Sequence, residues 1–97
     1  MKVYISGPIT GIVLPVAIAR FNDAELRLQE MGFDVVNPMD NGVPITAEWS
    51  EHIREDIRLM LDCNAIYLLK GWENSKGAAL EKHIAEKLGF TIIEQVK

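Results

Sequence analysis

The sequence holds a single cysteine, Cys63, among 97 residues, which excludes a disulfide within the chain. No run approaches 18 apolar residues, so no membrane partner is expected. The N-terminus shows no cleavable signal pattern, and a cytoplasmic protein is the expectation. Basic residues are few: 10 Lys and Arg stand against 14 Asp and Glu, for a net charge of -4. They are scattered rather than clustered, which argues against polymeric nucleic acid as a partner. His52 and His83 are isolated and form no spaced cluster with Cys63. Neither His-Glu-x-x-His nor Cys-x-x-Cys occurs, so no metal is expected, and Cys63 reads as a small buried hydrophobe. Gly7-x-x-x-Gly11 lacks the spacing of a dinucleotide loop, and Val36-Asn37-Pro38 stands where an acid would end the second strand. The Gly-Lys-Ser/Thr of a nucleotide triphosphatase loop is also missing. No cofactor is therefore expected.

What is present is an ordinary globular composition, 48% apolar, read as one domain over 1–97. A chain of this size buries roughly 60–65% of its unfolded surface, a modest core that favours assembly into a homodimer or larger homo-oligomer. Lys2 to Ser6 reads as a strand, and its contiguous Val3, Tyr4 and Ile5 suit a strand covered on both faces. Gly7-Pro8 breaks it. A helix is predicted from about Pro15 or Val16 to Met31, with Ala17, Ala19, Phe21, Ala24, Leu28 and Met31 as its apolar stripe. Gly32 stops it, where a positive φ costs little. Phe33 to Val36 is the second strand, ended by Asn37-Pro38. After a loop over 38–47, Thr46 reads as the N-cap of a helix running to about Leu61, with Ile53, Ile57, Met60 and Leu61 buried. Ala65 to Leu69 is the third and most apolar strand. Ser75 caps a third helix, Lys76 to Leu88, and Phe90 to Ile93 is the last strand, followed by a fraying end at Glu94 to Lys97.

The order β-α-β-α-β-α-β predicts an α/β, three-layer, flavodoxin-like fold. Its sheet has four parallel strands in the order 2-1-3-4, with helices on both faces. Such a sheet opens a crevice beyond the carboxyl ends of strands one and three. Two segments point there. One is Tyr4-Ile5-Ser6-Gly7-Pro8-Ile9-Thr10-Gly11; the other is Ser75-Lys76-Gly77-Ala78-Ala79-Leu80-Glu81.

Glu81 falls on the second turn of the third helix, on a face with Gly77, Ala78, Ile84 and Ala85. It is either a site carboxylate or a solvated acid favoured by the helix dipole. Ser75 caps the helix and has a hydroxyl that can also reach a ligand. Tyr4 needs a partner for its hydroxyl inside a buried strand; that partner is Glu81 or a backbone carbonyl. Asp56 stands four residues after His52, either in an exposed ladder of charges or in the crevice, where it would bind a hydroxyl or move a proton. Trp49 and Trp72 border the crevice and would stack on a base or plug the domain or a subunit interface.

Over nearly its whole length the chain resembles the nucleoside 2-deoxyribosyltransferase-like proteins, in the group of small bacterial and phage sequences called DUF4406. The resemblance is carried by Val3 through Gly11, Gly32-Phe33-Asp34-Val35-Val36-Asn37-Pro38, Asp56 through Gly71-Trp72, and Ser75 through Glu81 with Ala85 and Gly89. It implies chemistry at an N-glycosidic bond of a nucleoside or nucleotide. Glu81 would be the nucleophile, Tyr4 the tyrosine that orients it, and Asp56 the acid near sugar and base. Substrate contacts would come from Ser6, Gly7, Pro8, Ile9, Gly11, Trp72, Ser75 and Gly77. Ser75 stands where related 5′-monophosphate hydrolases keep a serine, yet their first-loop arginine is replaced here by Pro8-Ile9-Thr10-Gly11. The resemblance also implies a homodimer that completes the pocket. Two other readings are open: a non-catalytic nucleotide-binding or regulatory module, and a structural protein of a phage-like element, whose crevice would be filled by side chains.

Overall fold

The computed structural model describes residues 1–96; the last position of the expected fraying end, Lys97, lies outside them. The strands are β1 (Lys2–Ser6), β2 (Asp34–Val36), β3 (Ala65–Leu68) and β4 (Thr91–Glu94). The helices are α1 (Leu14–Glu30), α2 (Trp49–Met60) and α3 (Lys76–Lys87). Single 3₁₀ turns at Pro38–Asp40 and Trp72–Asn74 complete the chain. The four strands form one parallel sheet in the order β2-β1-β3-β4, as the alternation of strand and helix predicted.

β1 is central, and its register sets Val3 opposite Ala65 and Ser6 opposite Leu68. Successive side chains of a strand point to opposite faces. Val3 and Ile5 accordingly pack with Phe21, Ala24 and Leu28 of α1 on one face. Tyr4 turns to the other, with Ile66, Leu68, Met60 of α2 and Ala85 of α3. This division places every even-numbered side chain of β1's second half under α2 and α3.

Some boundaries and faces differ from expectation. α1 buries only Ala17, Phe21, Ala24 and Leu28, a stripe narrower than predicted. Ala19 and Met31 are exposed because one face of the sheet has room for one helix and covers only its inward edge. Thr46 does not cap α2. Ala47 N–H bonds to Pro44 O in a separate turn, and the helix starts after Glu48, which makes no side-chain cap bond. Leu61 follows the last turn of α2 and is exposed, while Asp56 takes a buried place in the stripe beside Ile53 and Met60. Strand ends move by a residue: β3 is one shorter, although Leu69 N–H still bonds to Ser6 O at 2.8 Å. β4 begins after Phe90, whose N–H is held by Ala85 O at 2.9 Å. Gly32, with φ +89°, carries the chain from α1 into β2 in a conformation that side chains rarely adopt.

Candidate functional site

α3 presents Ala78, Glu81 and Ala85 to the interior, positions that fall on one helical face. Two of the three are alanines, so the helix lies close to the sheet and the intervening carboxyl reaches β1. Ser75 secures the start of the helix, its hydroxyl accepting Ala78 N–H at 3.2 Å. Below Glu81, Tyr4 and Ser6 share a face of β1. The Tyr4 hydroxyl donates to Glu81 Oε2 at 2.8 Å, and the Ser6 hydroxyl donates to Oε1 at 2.6 Å.

Glu81 is only 5% exposed. Burial pushes its pKa up to about 7, against the pull of the Ser6 and Tyr4 hydrogen bonds, and the charge of Asp56 adds to the rise. Desolvation thus outweighs two good donors, and both ionisation states of Glu81 are populated near neutrality. The Tyr4 phenol is pushed well above its usual range, chiefly by burial and then by the charges of Glu81 and Asp56. It stays protonated and so remains a donor.

Asp56 belongs to the buried stripe of α2, not to an exposed ladder, and is 8% exposed. Asn41 Nδ2 donates to its Oδ1 at 2.8 Å. Burial raises Asp56 to about 6; the Asn41 hydrogen bond and the nearby His52 oppose the rise, and Glu55 adds to it.

Glu81 and Asp56 both open onto a cavity of about 780 Å³. Its walls are the loop after β1 (Gly7, Pro8, Ile9, Thr10), the segment between β2 and α2 (including Met39, Asn41, Val43 and Ile45), one side of α2 (Trp49, His52, Ile53) and the start of α3. Leu14 and Ile18 of α1 close the remaining side. Lys76 is the one lysine or arginine among the described lining residues, and its Nζ lies 4.4 Å from the centre of the Trp49 ring. Among the described residues no three His, Cys, Asp or Glu side chains converge as a metal site. No described helix is long and apolar enough to cross a membrane.

Of the residues expected to hold a ligand, Gly7, Pro8, Ile9, Ser75 and Gly77 line this cavity together with Glu81 and Asp56. Tyr4 stands behind Glu81 as its partner. Ser6 differs from expectation. It is 1% exposed and its hydroxyl is committed to Glu81, because the two-residue period of β1 puts it beside Tyr4 rather than in the loop. Gly11 lies outside the cavity lining in a turn with φ +84° and open space around it. Trp72 is also outside the lining: the turn after Gly71 lays its ring against the Tyr4–Met60 cluster. There its Nε1–H donates to Glu94 Oε1 at 3.0 Å. Gly7 answers a packing need as well, since a Cβ there would stand 2.6 Å from Leu69 Cβ.

Sequence reasoning missed Asn41, and it noted His52 beside Asp56 without giving it a place in the site. Asn41 sits in Asp40-Asn41-Gly42, which reads as an ordinary turn. The available signal for His52 was its spacing, one helical turn before Asp56 and on the same face.

Residues 1–94 match the family model DUF4406, described as a domain of unknown function. Among solved structures, the fold is shared with the CMP N-glycosidase BcmB of Clostridium botulinum. The TM-score is 0.64 at 21% identity, over 97% of this chain and 67% of that one. It is shared also with a 2-desoxiribosyltransferase from Leishmania mexicana, with a TM-score of 0.68 at 21% identity, over 96% of this chain and 62% of that one. The chain thus spans about two thirds of the length of either. Among curated proteins, none matches it by sequence. At this identity the likeness is one of fold.

Proposed function

The chain belongs to the DUF4406 family, and from the setting of Glu81 we propose that it acts on the N-glycosidic bond of a (deoxy)nucleoside or its 5′-monophosphate, as a hydrolase or a 2-deoxyribosyltransferase. The observation that carries this reading is a buried carboxyl at the wall of an open cavity, held from behind by two hydroxyl donors. A volume of about 780 Å³ falls within the usual range of small-molecule sites. Trp49 and the apolar side chains around it offer a surface for a base, and the polar groups concentrate at Glu81, Asp56, Asn41 and His52. An open cavity weighs against a purely structural role, for which side chains would fill the crevice.

In the proposed reaction an oxygen of ionised Glu81 bonds to the anomeric carbon while the carbon–nitrogen bond breaks. The electron pair of that bond passes to the base nitrogen, and Asp56 gives up its proton to the departing base. The transition state is oxocarbenium-like, and the carboxylate stabilises it by charge as the bond forms. Water, or a second base, then attacks the same carbon of the glycosyl ester. Asp56 takes the proton released by the attacking group, and Glu81 leaves as carboxylate. Tyr4 and Ser6 hold the carboxylate in one orientation throughout, so little is spent on aligning it.

This scheme needs one proton on the Asp56–Glu81 pair. With the two carboxyls raised to about 6 and about 7, the singly protonated pair is most populated between the two values. Its proton rests mainly on Glu81. The reactive arrangement, with Glu81 ionised and Asp56 protonated, is the lesser of the two forms but peaks over the same range, so base release should peak there. The same reading includes a homodimer or larger homo-oligomer, supported by Ile18, Ile45 and Trp49, which are exposed yet line the cavity. Sedimentation analysis tests the assembly. The reaction is tested by incubating the protein with deoxynucleosides and their 5′-monophosphates, with Glu81→Ala alongside, and following free base by chromatography. Release that vanishes in the variant supports glycosidic chemistry; no release from folded wild-type protein across the panel refutes it.

A further inference from the structure

We propose that Asn41 is a positioning residue of this site, selecting which oxygen of Asp56 and which nitrogen of His52 face the ligand. The inference rests on the reading of Asp56 as the proton donor. Asn41 Oδ1 accepts the backbone N–H of Val43 at 2.9 Å. A backbone N–H can only donate, so the amide cannot turn over without setting donor against donor. Its Nδ2 therefore faces α2, where one hydrogen goes to Asp56 Oδ1 at 2.8 Å. The other is directed at His52 Nδ1, 3.4 Å away.

Two consequences follow from these contacts. Asp56 Oδ1 is occupied as an acceptor, so the proton of the acid form resides on Oδ2. His52 Nδ1 receives a hydrogen, so the neutral ring carries its own proton on Nε2. Among the described residues no buried side-chain nitrogen or oxygen is left without a partner. Among the described residues neither Oδ2 nor Nε2 has a partner, so both are open to solvent, and both residues line the cavity. The cavity wall thus offers two adjacent donors one helical turn apart. An acid O–H suits the departing nitrogen of a base, and an imidazole N–H suits a carbonyl or unprotonated ring nitrogen of the same base. A ligand with both kinds of acceptor, such as a pyrimidine or purine base, fits this pair.

The groups that bear on Asp56 are His52 and Glu55 on its own helix, Glu81 on α3 and Tyr4 on β1; Lys76 also lines the cavity. Asn41 is the neutral donor among them, and removing it takes away the contact that most opposes protonation of Asp56.

The test uses two variants and the ligand-free protein. Asn41→Ala removes the whole amide. Asn41→Asp keeps the acceptor for Val43 N–H, and with it the turn, but removes both hydrogens. Titration of the Asp56 carboxyl carbon by NMR should move to higher pH by about one unit in Asn41→Ala and further in Asn41→Asp. The nitrogen signals of His52 should change from a single Nε2–H tautomer to a mixture. If neither signal moves in folded variants, the positioning role is refuted. In turnover, the acidic limb of base release, set by the lower of the two carboxyls, should shift upward with the Asp56 titration, and an unmoved limb would also refute it. If wild-type protein releases no base while both NMR signals respond as expected, the glycosidic reading falls and the role of Asn41 in fixing these two groups stands.

Discussion

Glu81→Gln should make the protein more stable while abolishing base release. The carboxyl of Glu81 is raised from 4.5 to about 7 in the folded chain, so the folded state binds its proton more tightly than the unfolded state does. That preference stabilises the fold fully below pH 4.5 and is lost as pH rises through 7. At about 1.4 kcal/mol per pH unit, the loss amounts to about 3 kcal/mol at pH 8. Glutamine has nearly the same shape and no charge to desolvate. Its carbonyl can accept from one of the two hydroxyls, and its amide can donate to the oxygen of the other. The variant should therefore match wild type at pH 4.5 and exceed it by about 3 kcal/mol at pH 8, a rise in Tm on the order of 10 °C for a domain of this size. Urea unfolding at pH 4.5, 6 and 8 measures the difference directly. A gap that does not widen with pH, or a variant that is destabilised equally at every pH, would refute the argument that burial dominates the Glu81 environment. Gain of stability together with loss of base release would mark Glu81 as a group retained for function at a cost to the fold.

The hydroxyl partners are tested by Tyr4→Phe and Ser6→Ala. Each removes one donor to the carboxylate, so Glu81 should titrate above about 7, and base release at pH 7 should fall by roughly tenfold, the scale of one hydrogen bond to a charged group. Gly7→Ala places a methyl 2.6 Å from Leu69 Cβ and should cost about 1–3 kcal/mol in unfolding experiments. The two tryptophans should separate cleanly: Trp49→Ala weakens nucleoside binding measured by calorimetry. Trp72→Phe loses the bond to Glu94 and part of the ring's contact with Lys82 and the Tyr4–Met60 cluster, lowering stability by about 1–2 kcal/mol with unchanged affinity.

Much of the fold was legible because its signals are local. The glycines and prolines between apolar runs mark every change of direction but the one at Asp62-Cys63-Asn64, and the alternation of strand with helix implies a parallel sheet. The site was legible in part. Ser75 as an N-cap and Glu81 six residues later identify a carboxyl on a defined face of α3. Ser6 was harder: it reads as the last residue of β1, yet its place beside the Gly7-Pro8 loop also makes it a candidate ligand contact. Only the packing of α3 over β1 shows that its hydroxyl is buried against Glu81 rather than turned to a ligand. Asp56 was ambiguous because charged neighbours on α2 look the same whether the helix packs on the sheet at Ile53 and Met60 or at some rotated face. Trp49 and Trp72 each border a loop, and nothing in their neighbours in sequence says that one turns to the cavity and the other to β4.

The sequence alone therefore determined the order and type of the elements, the layering that follows from them, and the end of the sheet at which a ligand could be held. These depend on periodicity, turn chemistry and the handedness of parallel connections, all short-range. The tertiary structure decided the chemistry. Tyr4 and Glu81 are 77 positions apart, and their contact, the desolvation that raises Glu81, and the amide of Asn41 set against Asp56 arise only when α2 and α3 cover one face of β1. Burial and proximity are properties of the packed chain, and they set which of its fourteen acids hold protons near neutral pH.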